Sequence, residues 1–178
     1  MKYTMLLFLM LLFSGISCIK NPVDPNEGEL ITTVRVKLTE TISGDEHVFE
    51  FNDPDGEGGN VPLRFDEIVL SPNTIYQCEL ELLNESTTPI TNVSAEISDE
   101  SADHQFYFQS TLNGLVIRDL DLDQAQLPFG LHSTWTTQSQ GKGNVVITLK
   151  HKPGYKKAND FVTVGDTDLA LDFKVSIQ

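Results

Sequence analysis

The chain has 178 residues, with 26 Asp or Glu against 12 Lys or Arg, for a formal net charge of −14. An acidic surface of this kind repels phosphate backbones and anionic lipid headgroups, so it excludes a nucleic-acid partner and any attachment to a membrane through charge. The 39% hydrophobic content is enough to build a core, and the length after removal of a leader suits one domain.

The first element is Met1–Ser17: one cation at Lys2, an apolar run from Met5 to Phe13, then Ser14-Gly15-Ile16-Ser17 directly before Cys18. A basic start, a short apolar run and small residues before a cleavage point make a secretory signal. The run is too short for the ~18–20 residues that span a bilayer. Small residues leading straight into a cysteine resemble the lipobox of bacterial lipoproteins. That resemblance implies cleavage before Cys18, acylation of its amine and thiol, and a mature chain of net charge −15 once Lys2 is gone. Since charge cannot hold this chain to a membrane, lipid must, and two or more acyl chains anchor stably where one does not. The expected organisation is a signal peptide over 1–17, a lipidated Cys18 with a polar Pro- and Gly-containing tether over 18–29, and one domain over 30–178.

That domain reads as strands. Val34, Val36 and Leu38 alternate with Arg35 and Lys37, and Phe49 and Phe51 with Val48 and Glu50. Tyr76, Cys78, Leu80 and Leu82 share a face, which makes Cys78 a buried free cysteine, since an acylated Cys18 leaves it without a disulfide partner. Asn92–Ala102 is the best helical segment, acidic and a few turns at most. Phe106 and Phe108 share a face, as do Val145, Ile147 and Leu149. The last strand places Leu169, Leu171, Phe173, Val175 and Ile177 inward and Ala170, Asp172, Lys174 and Ser176 outward. Seven or eight such strands predict an all-β, two-sheet antiparallel sandwich of immunoglobulin-like form, with a β-barrel as the alternative.

Three groups of residues carry candidate chemistry. In Asn52–Asn60, Asp53, Asp55 and Glu57 stand two apart among glycines, the way calcium loops gather oxygen ligands, although a plain hairpin turn accounts for the same residues. Asp119, Asp121 and Asp123 also alternate, and are expected on a solvated face. His104 and His151 share parity with core residues near the ends of their strands. With Asp103 and Glu100 nearby they suit a transition metal such as zinc, built across strands, or else hydrogen-bonded caps on the core. His132 and Trp135 are further binding candidates, with a core Trp the commoner arrangement in a sandwich. The nucleophile-elbow, phosphate-loop, dinucleotide and His-Glu-x-x-His signatures do not occur, and a non-enzymatic protein is expected.

Several phrases, taken in order, resemble a family of small lipoproteins from Bacteroidota. They are Ile31-Thr32-Thr33-Val34, Asp53-Pro54-Asp55-Gly56-Glu57-Gly58-Gly59, Leu82-Leu83-Asn84-Glu85, Asp103-His104-Gln105-Phe106-Tyr107, Gly130-Leu131 with Thr134-Trp135-Thr136-Thr137, and Leu149-Lys150-His151-Lys152-Pro153. Members are often labelled hypothetical or "type 1 periplasmic binding fold superfamily". That label implies a Rossmann-like α/β domain, which the absence of βαβ alternation here rejects. The resemblance further implies an outer-membrane lipoprotein of the cell envelope, partnered with a TonB-dependent receptor in uptake of a metal or metal complex. The family pattern before the histidine is a longer Glu-rich run ending Asp-Glu-His-Gln. Ser101-Ala102-Asp103 replaces part of it here, which weakens the ligand roles carried over to Glu100 and Asp103, while His104 and His151 match. The rival expectation is a structural or adhesive surface module, stiffened by calcium at Asp53, Asp55 and Glu57.

Overall fold

Alternation of apolar and polar residues marks the long, half-buried strands. The computed structural model describes residues 30–56 and 58–178. The expected signal peptide, Cys18, the expected tether and Glu57 lie outside the described residues. In chain order the elements are β1 (Thr33–Glu40), β2 (Glu46–Asn52), β3 (Arg64–Phe65), β4 (Ile68–Leu70), β5 (Ile75–Asn84), β6 (Thr91–Asn92), α1 (Val93–Asp99), β7 (His104–Ser110), β8 (Leu115–Arg118), β9 (His132–Thr137), β10 (Gly141–His151) and β11 (Asp166–Ile177). Eight of these strands are four residues or longer. The others are short pieces that no periodicity marks.

They form an all-β sandwich. One sheet runs β3-β2-β1-β5-β9-β8, with β6 added beside β5, and the other runs β4-β11-β10-β7. Among the described residues both sheets end in free edges and no barrel closes, so the barrel alternative does not hold. All pairs are antiparallel except β4 with β11, which is parallel. The second sheet is therefore mixed rather than purely antiparallel.

The predicted inward faces meet in one core. Val34, Val36, Leu38, Tyr76, Cys78, Leu80, Leu82, Phe106, Val145, Ile147, Leu149, Phe173, Val175 and Ile177 are all buried. Trp135 lies inside as well and donates its indole N–H to Ser133 Oγ at 3.0 Å, so it is a core residue, not a ligand platform. Burial pushes the Cys78 thiol up to about 12, as expected of a thiol that packs as a hydrophobe. Ser176 departs from the expected alternation. It is buried, and its register partners are Val69 on one flanking strand and Lys142 on the other.

On the outer face of the larger sheet, Arg35 reaches Glu50 at 2.7 Å, Glu81 at 3.1 Å and Glu85 at 3.5 Å, and Lys37 reaches Glu81 at 3.1 Å. Opposite charges across neighbouring strands support the sheet, whereas the carboxylates alone would repel. The helix α1 forms where predicted. Asn92 caps it by accepting the amide of Ala95, Val93 and Ile97 bury one stripe, and Ser94 Oγ accepts the amide of Leu82 at 2.6 Å. So short a helix is held by packing on β5 and not by its own propensity.

Candidate functional site

The end of the smaller sheet brings the two singled-out histidines together. His104 opens β7, His151 closes β10, and the antiparallel register sets them directly opposite. Opposed residues on one face touch, and here the two imidazoles stack, with centroids 4.7 Å apart and planes 12° from parallel. His104 is 2% exposed, and His151 is half-buried. His104 Nδ1 lies 3.2 Å from the carbonyl of Glu100. A carbonyl only accepts, so Nδ1 carries a proton there. Nε2 then faces Asp168 Oδ2 at 3.7 Å. Burial pushes His104 below its ordinary value of 6.5, the Glu100 carbonyl works against this, and the neighbouring His151 adds to it.

Asp168 reaches this place through a break in register. Leu149 pairs with Leu169 but Lys150 pairs with Thr167, so Asp168 is one residue too many on β11. A bulge of this kind re-aims a side chain. It turns Asp168 into the sandwich end, although simple parity would put it outside with Ala170 and Asp172. Its side chain is 5% exposed and Oδ2 accepts no hydrogen bond. Burial raises its carboxyl above the ordinary 3.8, against the lowering effect of His104 and His151. Gly165, with φ +81, lies so close to the His151 carbonyl that any Cβ there would collide with it.

The other predicted metal ligands serve elsewhere. Glu100 meets His104 through its carbonyl and is itself exposed. Asp103 anchors the segment after β10: its carbonyl accepts the amide of Lys152 at 2.6 Å and its Oδ1 the amide of Gly154 at 3.3 Å. Among the described residues, no three His, Cys, Asp or Glu side chains already stand in coordinating positions. Two buried lysines, given no role by sequence reasoning, fix the same segment. Lys152 is wholly buried, with its ammonium against the Tyr107 hydroxyl, Asp160 Oδ2 at 3.1 Å and the Tyr107 ring at 4.6 Å. Lys156 pairs with Asp123 at 2.8 Å, both side chains almost fully enclosed.

No protein-family model, curated protein or solved structure matches the chain. The geometry of this end of the sandwich therefore carries the functional reading.

Beside the imidazole pair the two sheets part around a cleft of about 610 Å³. Ile31 and Phe51 line it from the larger sheet, Leu169 and Leu171 from the smaller, and Asp53 and Asp168 complete the wall. Asp53 follows β2, donates its amide to the Thr32 carbonyl at 2.8 Å and is 7% exposed, and its Oδ1 has no hydrogen-bond partner. Burial and then the adjacent Asp55 carboxylate raise the Asp53 carboxyl above its ordinary value. Asp55 is held low by Asn60, whose amide and side-chain nitrogen donate to Oδ2 at 2.9 and 2.6 Å. The acidic loop thus closes on Asp55 as a turn and leaves Asp53 facing the cleft.

The expectation of a solvated face for Asp119, Asp121 and Asp123 is corrected at Asp123, which is buried, while Asp121 is half-buried. Asp121 accepts from the amides of Gly130 and His132 and lies 3.2 Å from His132 Nδ1. Asp123 is 4% exposed and accepts from the amides of Ala125 and Leu127. Both pin the irregular stretch between β8 and β9. His132, which opens β9, remains largely exposed.

Proposed function

We propose that this chain is an exported, lipid-anchored, non-enzymatic binding protein that holds a transition-metal ion at His104 and His151 and serves a TonB-dependent receptor. The observation that carries the metal reading is the meeting of two imidazoles at 4.7 Å with the Asp168 carboxylate 3.7 Å from one of them. Two ligands on one tetrahedral zinc ion stand about 3.4 Å apart, given Zn–N and Zn–O bonds of about 2.0–2.2 Å. The His104–Asp168 spacing is within a few tenths of an ångström of that. Stacked rings send their nitrogens side by side instead of toward one point, so binding requires His151, the more exposed ring, to turn. The receptor partnership rests on the ordered phrases that resemble the Bacteroidota lipoproteins.

Titration calorimetry with zinc should show one ion per chain. His151→Ala and His104→Ala should each abolish the isotherm, while Glu100→Ala should leave it intact. An unchanged isotherm in both histidine variants would overturn the metal reading. The anchor is tested separately: mass spectrometry of the purified protein should find acyl groups on an N-terminal Cys18. A Cys18→Ala protein that stays on membranes through a high-salt wash would overturn it.

A further inference from the structure

We propose that the cleft between the sheets binds a primary ammonium group carried on an apolar body, with Asp53 and Asp168 receiving the charge. This goes beyond the metal reading and stands without it. Two carboxylate oxygens in the wall, Asp53 Oδ1 and Asp168 Oδ2, are enclosed and accept no hydrogen bond. The 3.7 Å from Asp168 to His104 is too long for one. An enclosed carboxylate oxygen without a donor is costly, and a ligand that brings both charge and N–H groups relieves that cost. An ammonium supplies three donors and one positive charge.

The shape of the cleft selects the ligand class. A bare ion needs several converging oxygens, whereas among the described residues Ile31, Phe51, Leu169 and Leu171 provide hydrocarbon and two carboxylates, Asp53 and Asp168, contribute. The volume of about 610 Å³ lies within the range of small-molecule sites. The walls come from both sheets, Phe51 from β2 and Leu169 and Leu171 from β11.

Hexylammonium is the probe, titrated calorimetrically into the full-length protein, with 1-hexanol as the neutral match and calcium chloride as the bare-ion match. Saturable binding of hexylammonium with little or none of hexanol or calcium is expected. Asp53→Asn and Asp168→Asn keep shape and remove charge, and each should weaken the amine about tenfold or more, the value of a charge-assisted hydrogen bond. His151→Ala should lose zinc yet keep the amine, and Asp53→Asn should weaken the amine yet keep zinc, so the two readings fail separately. Absence of saturable amine binding, equal binding by hexanol, equal binding by both Asn variants, or a calcium isotherm in place of the amine's would each overturn the proposal.

Discussion

Lys156→Ala should destabilise the fold by about 3–5 kcal/mol, because removing one member of an enclosed ion pair leaves the other charge without compensation. The pair is Lys156 Nζ with Asp123 Oδ2 at 2.8 Å, the side chains 2% and 1% exposed. The ammonium also donates to the Ser101 carbonyl at 2.7 Å and lies 5.7 Å from the centre of the Phe129 ring. It therefore joins three segments: the turn after α1, the stretch before β9, and the segment after β10. The double replacement Lys156→Met with Asp123→Leu should cost less than the sum of the two single changes, since no orphan charge remains and only the hydrogen bonds with the Ala125 and Leu127 amides and the Ser101 carbonyl are lost. The acid limb follows with its sign. Burial alone would raise the Asp123 carboxyl, but the Lys156 ammonium and the amides of Leu127 and Ala125 outweigh it and hold it below its ordinary 3.8. Between the folded and ordinary values the unfolded chain binds more protons, so this stabilisation is complete above about pH 4 and is lost as pH falls through the folded value. Urea denaturation from pH 7 to pH 3 should show a drop in the parent that is shallower in Lys156→Ala. Equal stability of parent and Lys156→Ala at pH 7 would show that the pair contributes nothing.

How far the sequence foretells this molecule depends on whether a feature is local. The inward faces were legible because alternation is a property of neighbours: Val34, Val36 and Leu38 needed only Arg35 and Lys37 between them. The placement of His104 and His151 at strand ends was legible for the same reason. Their stacking was not, since it follows from the register of β7 on β10. Asp168 was illegible in a stronger sense. Its parity with Ala170 and Asp172 points outward, and only a bulge, which the pairing with β10 creates, reverses it. Lys152 and Lys156 were missed because an isolated lysine reads as solvated. Their burial depends on Asp160 and Asp123, and Asp123 in turn belongs to a stretch read as a solvated face. The acidic loop could be read two ways from composition. The Asn60 hydrogen bonds close it as a turn at Asp55, while Asp53 is left on the cleft side.

Phe173→Ala should cost about 3–5 kcal/mol, the range for a large aromatic deleted from a packed core. Phe173 sits mid-strand in β11, fully buried, opposite Val145 on β10. Burial of the ring contributes about 1.5–3 kcal/mol, and the remainder of the loss comes from the cavity left behind. Its edge meets the Phe65 ring at 4.9 Å and 90°, and Phe65 in turn meets Phe51 at 5.1 Å and 73°. The three rings run from the smaller sheet, through the short β3, to β2 of the larger one. Such edge-to-face contacts add about 0.5–1.5 kcal/mol beyond area. The same chain of contacts reaches the cleft, since Phe51 is one of its walls. Phe173→Ala should therefore loosen the amine site as well as the fold, whereas Phe173→Leu should retain most of both. Phe161, 72% exposed, is the matched control, and Phe161→Ala should change stability by no more than about 0.5 kcal/mol. Urea midpoints with unchanged slope would measure all three, and a Phe173→Ala loss no larger than that of Phe161→Ala would mean that the sheets do not pack through this ring.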